Sequence, residues 1–211
     1  MSDGSSKSAG VTTRLTVFPL PGALLFPRMH LPLHIFEPRY RAMISDSLAR
    51  DRRIGMVQPR GGGDRPALFD IGCVGKIADV EALDDGRYNL VLEGVAKFRI
   101  VRELDVTTPF RQVEAIIEPA DGIDALSLGE RASLESESRK FADAQGYAVD
   151  WEGVARLDDE ALVNGIAQIA PFDPASKQAL LEATTLAERC ELIVQLMAFF
   201  SRHDDDTGTL Q

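Results

Sequence analysis

Cysteine and tryptophan are nearly absent from this sequence, which has two cysteines and one tryptophan in 211 residues. Cys73 and Cys190 lie far apart and show no ligand spacing, which argues against a disulfide framework or a structural zinc cluster. They read as reduced, buried small hydrophobes in a cytoplasmic protein. No apolar run approaches the ~18 residues that a membrane span requires, so no membrane contact is expected. The opening MSDGSSKSAG has no apolar h-region, and no secretion signal is read there.

The motifs of several chemistries are missing as well. There is no G-x-S-x-G elbow to raise a nucleophilic serine. The only Gly-Lys pair is Gly75-Lys76; Ile77 follows where a P-loop needs Ser or Thr for magnesium, and Asp70 takes the place of its first glycine. Cys73 sits mid-strand without a neighbouring histidine, so a thiol hydrolase is the weaker reading of it. Asp84/Asp85 and Asp158/Asp159 serve a turn and a helix start, not an acid/base pair.

Only three histidines occur, and two of them fall in the stretch HLPLHIFEPRYRAM. His30 and His34 stand four apart with Glu37 close behind, a spacing that suits a metal only on a helix. Pro32 between them argues for extended chain. On a strand the two histidines share a face but lie roughly 13 Å apart, from a rise of ~3.3 Å per residue. Zinc needs its ligand nitrogens within ~2.1 Å. No metal, no cofactor and no catalytic residue is therefore expected, and His203 lies too far into the tail to complete a triad.

What is present is an uneven charge. The net charge is −10, yet residues 1–120 carry 16 Lys+Arg against 15 Asp+Glu, and residues 121–211 carry 7 against 18. The acidic half would repel a phosphate backbone, so nucleic acid is disfavoured as a partner. The near-neutral half leaves an RNA-binding alternative open. Arg50, Arg52, Arg53, Arg60 and Arg65 cluster around a helix end and a glycine loop. No aromatics are interleaved there for base stacking.

The pattern along the chain changes at the same place as the charge. TRLTVFPL reads as a strand with Leu15 and Val17 on one face. Pro21, Pro27 and Pro32 keep the following segment extended. A helix starts at Pro38, with Tyr40, Met43, Ile44, Ser47 and Leu48 on one stripe and Asp46–Arg50 paired on the surface. IGMVQP is a strand and RGGGDRP a flexible loop. Residues 68–83 and 87–104 form a hairpin about Asp85-Gly86, where a type I′ turn is expected. Gly72, Gly75 and Gly94 inside these runs imply bulges or bends. Residues 110–119 alternate as a further strand.

Beyond Asp121-Gly122 the period becomes helical, over 124–145 and again from Asp158 to before Pro171. Asp173-Pro174 is a cap with proline at the first helical position. Thr185 and Glu188 have capping-box spacing. The last helix carries an apolar face wide enough to be buried on two sides or to meet a partner. The fold class is α+β, with a β-rich unit at 13–120 and a helical bundle at 121–202. Residues 1–12 are expected to be disordered and 203–211 to form an acidic flexible tail.

Three segments, FPLPGALLFPRMHLPLHIFEPRYRAM, IGCVGKIADVEALDDGRYNLVLEGVAKFRI and IAQIAPFDPASKQALLEATTLAERCELIVQLM, together resemble the Lon N-terminal (LON) domain. The chain is most similar to the short stand-alone bacterial LON-domain proteins, over roughly residues 13–201. The resemblance implies a PUA-like pseudo-barrel followed by a helical bundle. It also implies a non-catalytic protein- or peptide-binding role, since in the full protease this domain helps select unfolded or damaged polypeptides. ATP hydrolysis and the Ser–Lys peptidase dyad reside in other domains of that protease, and neither motif is read here. Lys97 stands where many relatives have arginine. The implied partners are unfolded or extended polypeptides and a protease or chaperone system that acts on them. Within this reading Glu37, Arg39 and Tyr40 anchor the strand–helix junction. Phe26, Met29, Phe36 and Tyr40 line an apolar surface for extended peptides, and unpaired strand edges are open to β-augmentation.

Overall fold

The computed structural model of the chain describes residues 11–118 and 125–207, with side chains as far as Phe200. Most of the expected disordered start, the passage from sheet to helices at 119–124, and the end of the tail lie outside the described residues.

Eight strands precede the main helices: β1 (Thr12–Pro19), β2 (His30–Ile35), β3 (Arg53–Val57), β4 (Pro59–Arg60), β5 (Ala67–Leu68), β6 (Ile71–Ala82), β7 (Tyr88–Glu103) and β8 (Gln112–Ile117). Helix α1 (Pro38–Leu48) intervenes between β2 and β3. The main sheet runs in the order β2-β7-β6-β3-β1-β8, and β7 pairs with β8 as well. That extra pairing closes the sheet. The strand β7 makes it possible by its length of 16 residues: its first half pairs β2 and its second half pairs β8. All of these ladders are antiparallel except β1 with β3, whose parallel pairing requires the α1 crossover. The β4–β5 ribbon stands apart from the closed sheet.

Alternation builds the barrel interior. Leu15, Val17, Val74, Phe98, Val113 and Ala115 are buried together inside it, because residues two apart share a face of the pleat. Register shifts at Val74/Gly75, Ile77/Asp79 and Ile100/Arg102 bend the two long strands enough to close the sheet. Gly75 therefore sits at a bulge, as its place inside a strand implies. Gly94, paired with Gly75, flanks the same bulge, and a Cβ there would also overlap the Phe26 carbonyl.

The β6–β7 hairpin differs from the type I′ expectation. Gly86 has φ +80°, but Asp85 is not in the left-handed region. Gly86 N donates to Leu83 O at 2.8 Å, and Leu83 N donates to Arg87 O at 2.9 Å. This is a three-residue loop in which a type I turn is followed by a glycine bulge, and it needs only one positive φ. The Asp85 carboxylate fixes it by accepting from Arg87 N at 3.1 Å.

Five helices follow: α2 (Leu128–Ala144), α3 (Trp151–Ala155), α4 (Asp159–Ile169), α5 (Pro174–Glu182) and α6 (Leu186–Thr207). Asp158 and Asp173 cap α4 and α5 as their sequence positions imply, and Pro174 opens α5. Ser127 with Glu130 forms a reciprocal capping box on α2, and Asp150 caps the short α3; neither was anticipated. At α6, Glu188 N donates to Thr185 Oγ1, while the Glu188 carboxylate reaches one residue further back to Thr184 N. Helix α6 continues to Thr207, into the stretch expected to be a flexible tail.

Barrel and helices share one core. Phe18, Ile54 and Leu92 from the sheet belong to the same buried cluster as Leu134, Leu162, Leu180 and Ile193 from the helices. Polar clamps cross the same boundary. Gln168 on α4 accepts from Phe26 N at 3.1 Å and donates to Leu24 O at 2.9 Å. Gln178 on α5 donates to Ile71 O, and Lys97 on β7 donates to Ala183 O. Burying extended backbone against helices is tolerable only when its N–H and C=O groups are paired, and these side chains pair them.

Candidate functional site

The start of α1 forms one wall of a cleft. Pro38 takes the first helical position, where its missing N–H costs nothing. Two residues on, Tyr40 faces inward. Its ring lies 4.3 Å from that of Phe18, and the Arg39 guanidinium lies over it at 4.5 Å from the ring centroid. Arg39 is held in place by Glu37, with Nη2 to Oε2 at 2.9 Å. Burial raises the Tyr40 phenol above its ordinary pKa; Arg39 and Arg111 oppose that shift and Glu37 adds to it.

The opposite walls come from loops held by side chains distant in sequence. The buried Gln58 pins the turn after β1: it accepts from Gly22 N at 2.9 Å and donates to Leu20 O at 2.9 Å and Ala23 O at 2.6 Å. Arg111 ties the β4–β5 ribbon to the barrel. Its Nε and Nη2 donate to the Glu103 carboxylate at 2.8 and 2.6 Å, and its Nη1 donates to Pro66 O at 2.7 Å. The Arg111 hydrogen bond, against a cost from burial and with help from Arg65, holds the Glu103 carboxyl below its ordinary range. Thr108 Oγ1 donates to Phe110 O and accepts from Gln112 Nε2, which fixes the loop before β8.

The cleft so formed has a volume of about 170 Å³. Pro19, Pro21, Pro59, Pro66 and Pro109 contribute to its walls, together with Leu20, Tyr40 and Phe110. Gly63 and Asp64, at the tip of the glycine loop, stand at its edge. Gly61 and Gly63 both have positive φ, which explains why that loop needs glycine.

Of the four residues expected to line a peptide surface, only Tyr40 reaches this cleft. Phe26 is a core residue with 0% exposure, and the Arg189 guanidinium lies 5.8 Å from its ring centroid. The surface placement of Phe26 is corrected by the Gln168 clamp, which draws residues 24–26 beneath the helices. Met29 is half-buried and faces Gly165 of α4. Phe36 is 60% exposed on its own, beside His34. The four do not form one surface.

His34 and the cysteines are engaged structurally. His34 Nδ1 lies 2.7 Å from Asn89 Oδ1, and Arg87 approaches its Nε2 at 3.3 Å. Asn89 donates onward to Glu81, so its oxygen faces His34 and the proton sits on Nδ1. No cluster of three or more His, Cys, Asp or Glu arranged for a metal occurs among the described residues. His203 lies where side chains are not described. Cys73 is fully buried, and desolvation pushes its thiol up to about 12, which leaves essentially no thiolate at neutral pH.

Most of the arginine cluster is paired. Arg50 meets Asp46 at 2.9 Å, Arg60 meets Asp70 at 3.5 Å, and Arg65 meets Glu103 at 2.6 Å. Arg52 Nε donates to Ile77 O. Guanidinium groups held by carboxylates make a weak phosphate surface. The outer edge of β2 is the free edge of the main sheet among the described residues, and Pro32 sits in its middle. A proline there removes a donor from the edge and blunts β-augmentation.

Gln58, Arg111 and Phe110 were not singled out from sequence. The one signal available was the concentration of prolines around 19–27, 59–66 and 109, which marks rigid loop walls without saying that they converge.

Comparison with known proteins agrees with this architecture. Residues 14–198 match the family model for the ATP-dependent protease La (LON) substrate-binding domain. Lon protease from Heliobacterium modesticaldum is 27% identical over 195 residues, covering 87% of this chain and 24% of that protein. Lon protease from Escherichia coli K12 is 26% identical over 196 residues, with 87% and 24% covered. The chain thus spans about a quarter of the length of these relatives. Among solved structures, the Lon N-terminal domain protein from Xanthomonas campestris superposes with a TM-score of 0.68 at 23% identity, covering 88% of this chain and 98% of that one. The N-terminal domain of Mycobacterium avium complex Lon protease gives the same score at 19% identity; both show the shared fold. With a closed sheet, a following helical unit and a family match over nearly its whole described length, the chain belongs to the LON substrate-binding domain family.

Proposed function

We propose that this chain is a non-catalytic binding module for unfolded or extended polypeptides, which it presents to a protease or chaperone system in the cytoplasm. The observation that carries this reading is the match to a protease's substrate-binding domain over residues 14–198. Two features of the molecule support it. The thiols are too buried and too weakly acidic for nucleophilic work. The cleft beside α1 is walled mainly by apolar and aromatic groups, with Glu37, Arg39, Asp64 and Arg111 among its lining, a surface chemistry that suits holding a polypeptide.

Fluorescence anisotropy with labelled, reduced and carboxymethylated α-lactalbumin tests the proposal. Saturable binding of this unfolded chain, with much weaker binding of native α-lactalbumin, is expected. Equal affinity for both forms, or no binding of the unfolded form into the high micromolar range, would reject it.

A further inference from the structure

We infer that the cleft beside α1 is the polypeptide-binding subsite, taking one large apolar side chain of an extended chain while the Tyr40 hydroxyl donates to a neighbouring backbone carbonyl. The inference rests on the polypeptide-binding reading and gives it a place and a chemistry.

Tyr40 supplies the first observation. The residue is only 7% exposed, yet its hydroxyl has no hydrogen-bond partner among the described residues. Buried tyrosine hydroxyls almost always find one. This hydroxyl keeps contact with solvent, since it is not among the fully enclosed unpartnered atoms. It lies within the fields of Glu37, Arg39 and Arg111, all of which line the cleft. An otherwise buried ring at the cleft wall thus keeps one solvent-accessible polar atom without a protein partner among the described residues.

The walls say what that atom can meet. Five of them are prolines, which bring no backbone N–H to the cavity. Arg111 has its nitrogens on Glu103 and Pro66 O, and Arg39 is held by Glu37. An anion therefore finds no free guanidinium pair. What remains is a mainly apolar cavity with a hydroxyl donor and, among its lining, the Asp64 carboxylate, which further disfavours an anion and suits a neutral ligand bearing a carbonyl beside a greasy group. A peptide unit with a leucine-sized or aromatic side chain is such a ligand. The size agrees: a cavity of 150 Å³ accommodates a benzene ring, and this one measures about 170 Å³.

The chain has three tyrosines, so 3-fluorotyrosine labelling gives three ¹⁹F resonances, with Tyr40 assigned by Tyr40→Phe. Titration with reduced, carboxymethylated α-lactalbumin is expected to shift the Tyr40 resonance in step with the anisotropy isotherm. Tyr40→Phe, which keeps the ring, is expected to weaken binding about fivefold to tenfold, the loss of one hydrogen bond. Saturable binding with a stationary Tyr40 resonance and an unchanged affinity in Tyr40→Phe would overturn the subsite and leave the polypeptide-binding reading standing. A Tyr40 resonance that moves with protein concentration alone would place a second copy in the cleft and overturn it too. Absence of any binding would remove both readings.

Discussion

The Arg189 guanidinium donates to the Asn164 side-chain oxygen at 2.5 Å in the interior, and Asn164 in turn donates to Pro27 O at 3.1 Å. Arg189 also donates to Leu180 O at 2.8 Å, capping the end of α5. Among the described residues no carboxylate bonds to this guanidinium, and burial is the main force lowering its pKa. The cation is held by carbonyl dipoles, and one chain of hydrogen bonds runs from α6 through α4 to the barrel. Replacing Arg189 by Met is expected to cost about 2–4 kcal/mol, since several buried acceptors lose their donor. Urea unfolding followed by Trp151 fluorescence, on the helical side, and by far-ultraviolet circular dichroism should give coincident transitions in the parent protein. The variant's midpoint should fall in both signals together.

Gly94 and Gly62 make a contrasting pair. A Cβ on Gly94 would strike the Phe26 carbonyl, and Gly94 also exchanges backbone hydrogen bonds with Arg28 and Met29. A Cβ on Gly62 meets nothing within 4 Å. Gly94→Ala is expected to destabilise by about 3 kcal/mol or more, and Gly62→Ala to stay within about 0.5 kcal/mol. Urea midpoints of the two variants check this.

Asp158 links acidity to stability. It caps α4 by accepting from Ala161 N and forms a paired contact with Arg28, at 2.7 Å through each oxygen. The Arg28 hydrogen bond is the main cause of its lowered pKa, followed by the Ala161 N–H. A carboxyl depressed in the folded state stabilises fully above its unfolded pKa of about 4, and that contribution disappears as the pH falls through the lower folded value. Glu103 acts in the same direction. Stability should therefore be flat from about pH 7 to 5 and fall below about pH 4. Asp158→Asn retains a capping oxygen and should shallow the fall. Urea midpoints at several pH values measure the slope.

Cys73 and Cys190 should be silent toward thiol reagents in the folded protein. Both are buried, and both thiols are pushed up, to about 12 and about 11. Labelling with an aromatic disulfide reagent is expected to follow the global unfolding rate. A fast phase in the absence of denaturant would show that one of them opens locally.

The parts of this molecule that were readable in sequence are those written locally. Pro38 announces α1, the Asp158 and Asp173 caps announce α4 and α5, and the Asp-Gly pair announces the β6–β7 turn. Even there, the sequence does not choose between a two-residue and a three-residue loop, because Asp85 is compatible with either sign of φ. The cleft was not readable for the opposite reason. Gln58 meets residues 36 positions away, Arg111 meets Pro66 from 45 positions away, and Gln168 clamps Phe26 from 142 positions away. Phe26 and Phe36 are the same residue type in one apolar segment, yet one is fully buried and the other largely exposed. Distant elements, Gln168 of α4 and Arg189 of α6 among them, decide between the two.

The seam between β1 and β8 carries a consequence for synthesis. Thr12 is aligned with Ile116, so the first strand leaves the ribosome about a hundred residues before its neighbour exists. Until then a β-rich segment must wait with one flank unzipped, and the barrel can shut only late. Such long-range closure is slow and exposes sticky intermediates. A chain proposed to hold unfolded polypeptides thus passes through a stage in which it resembles its own clientele.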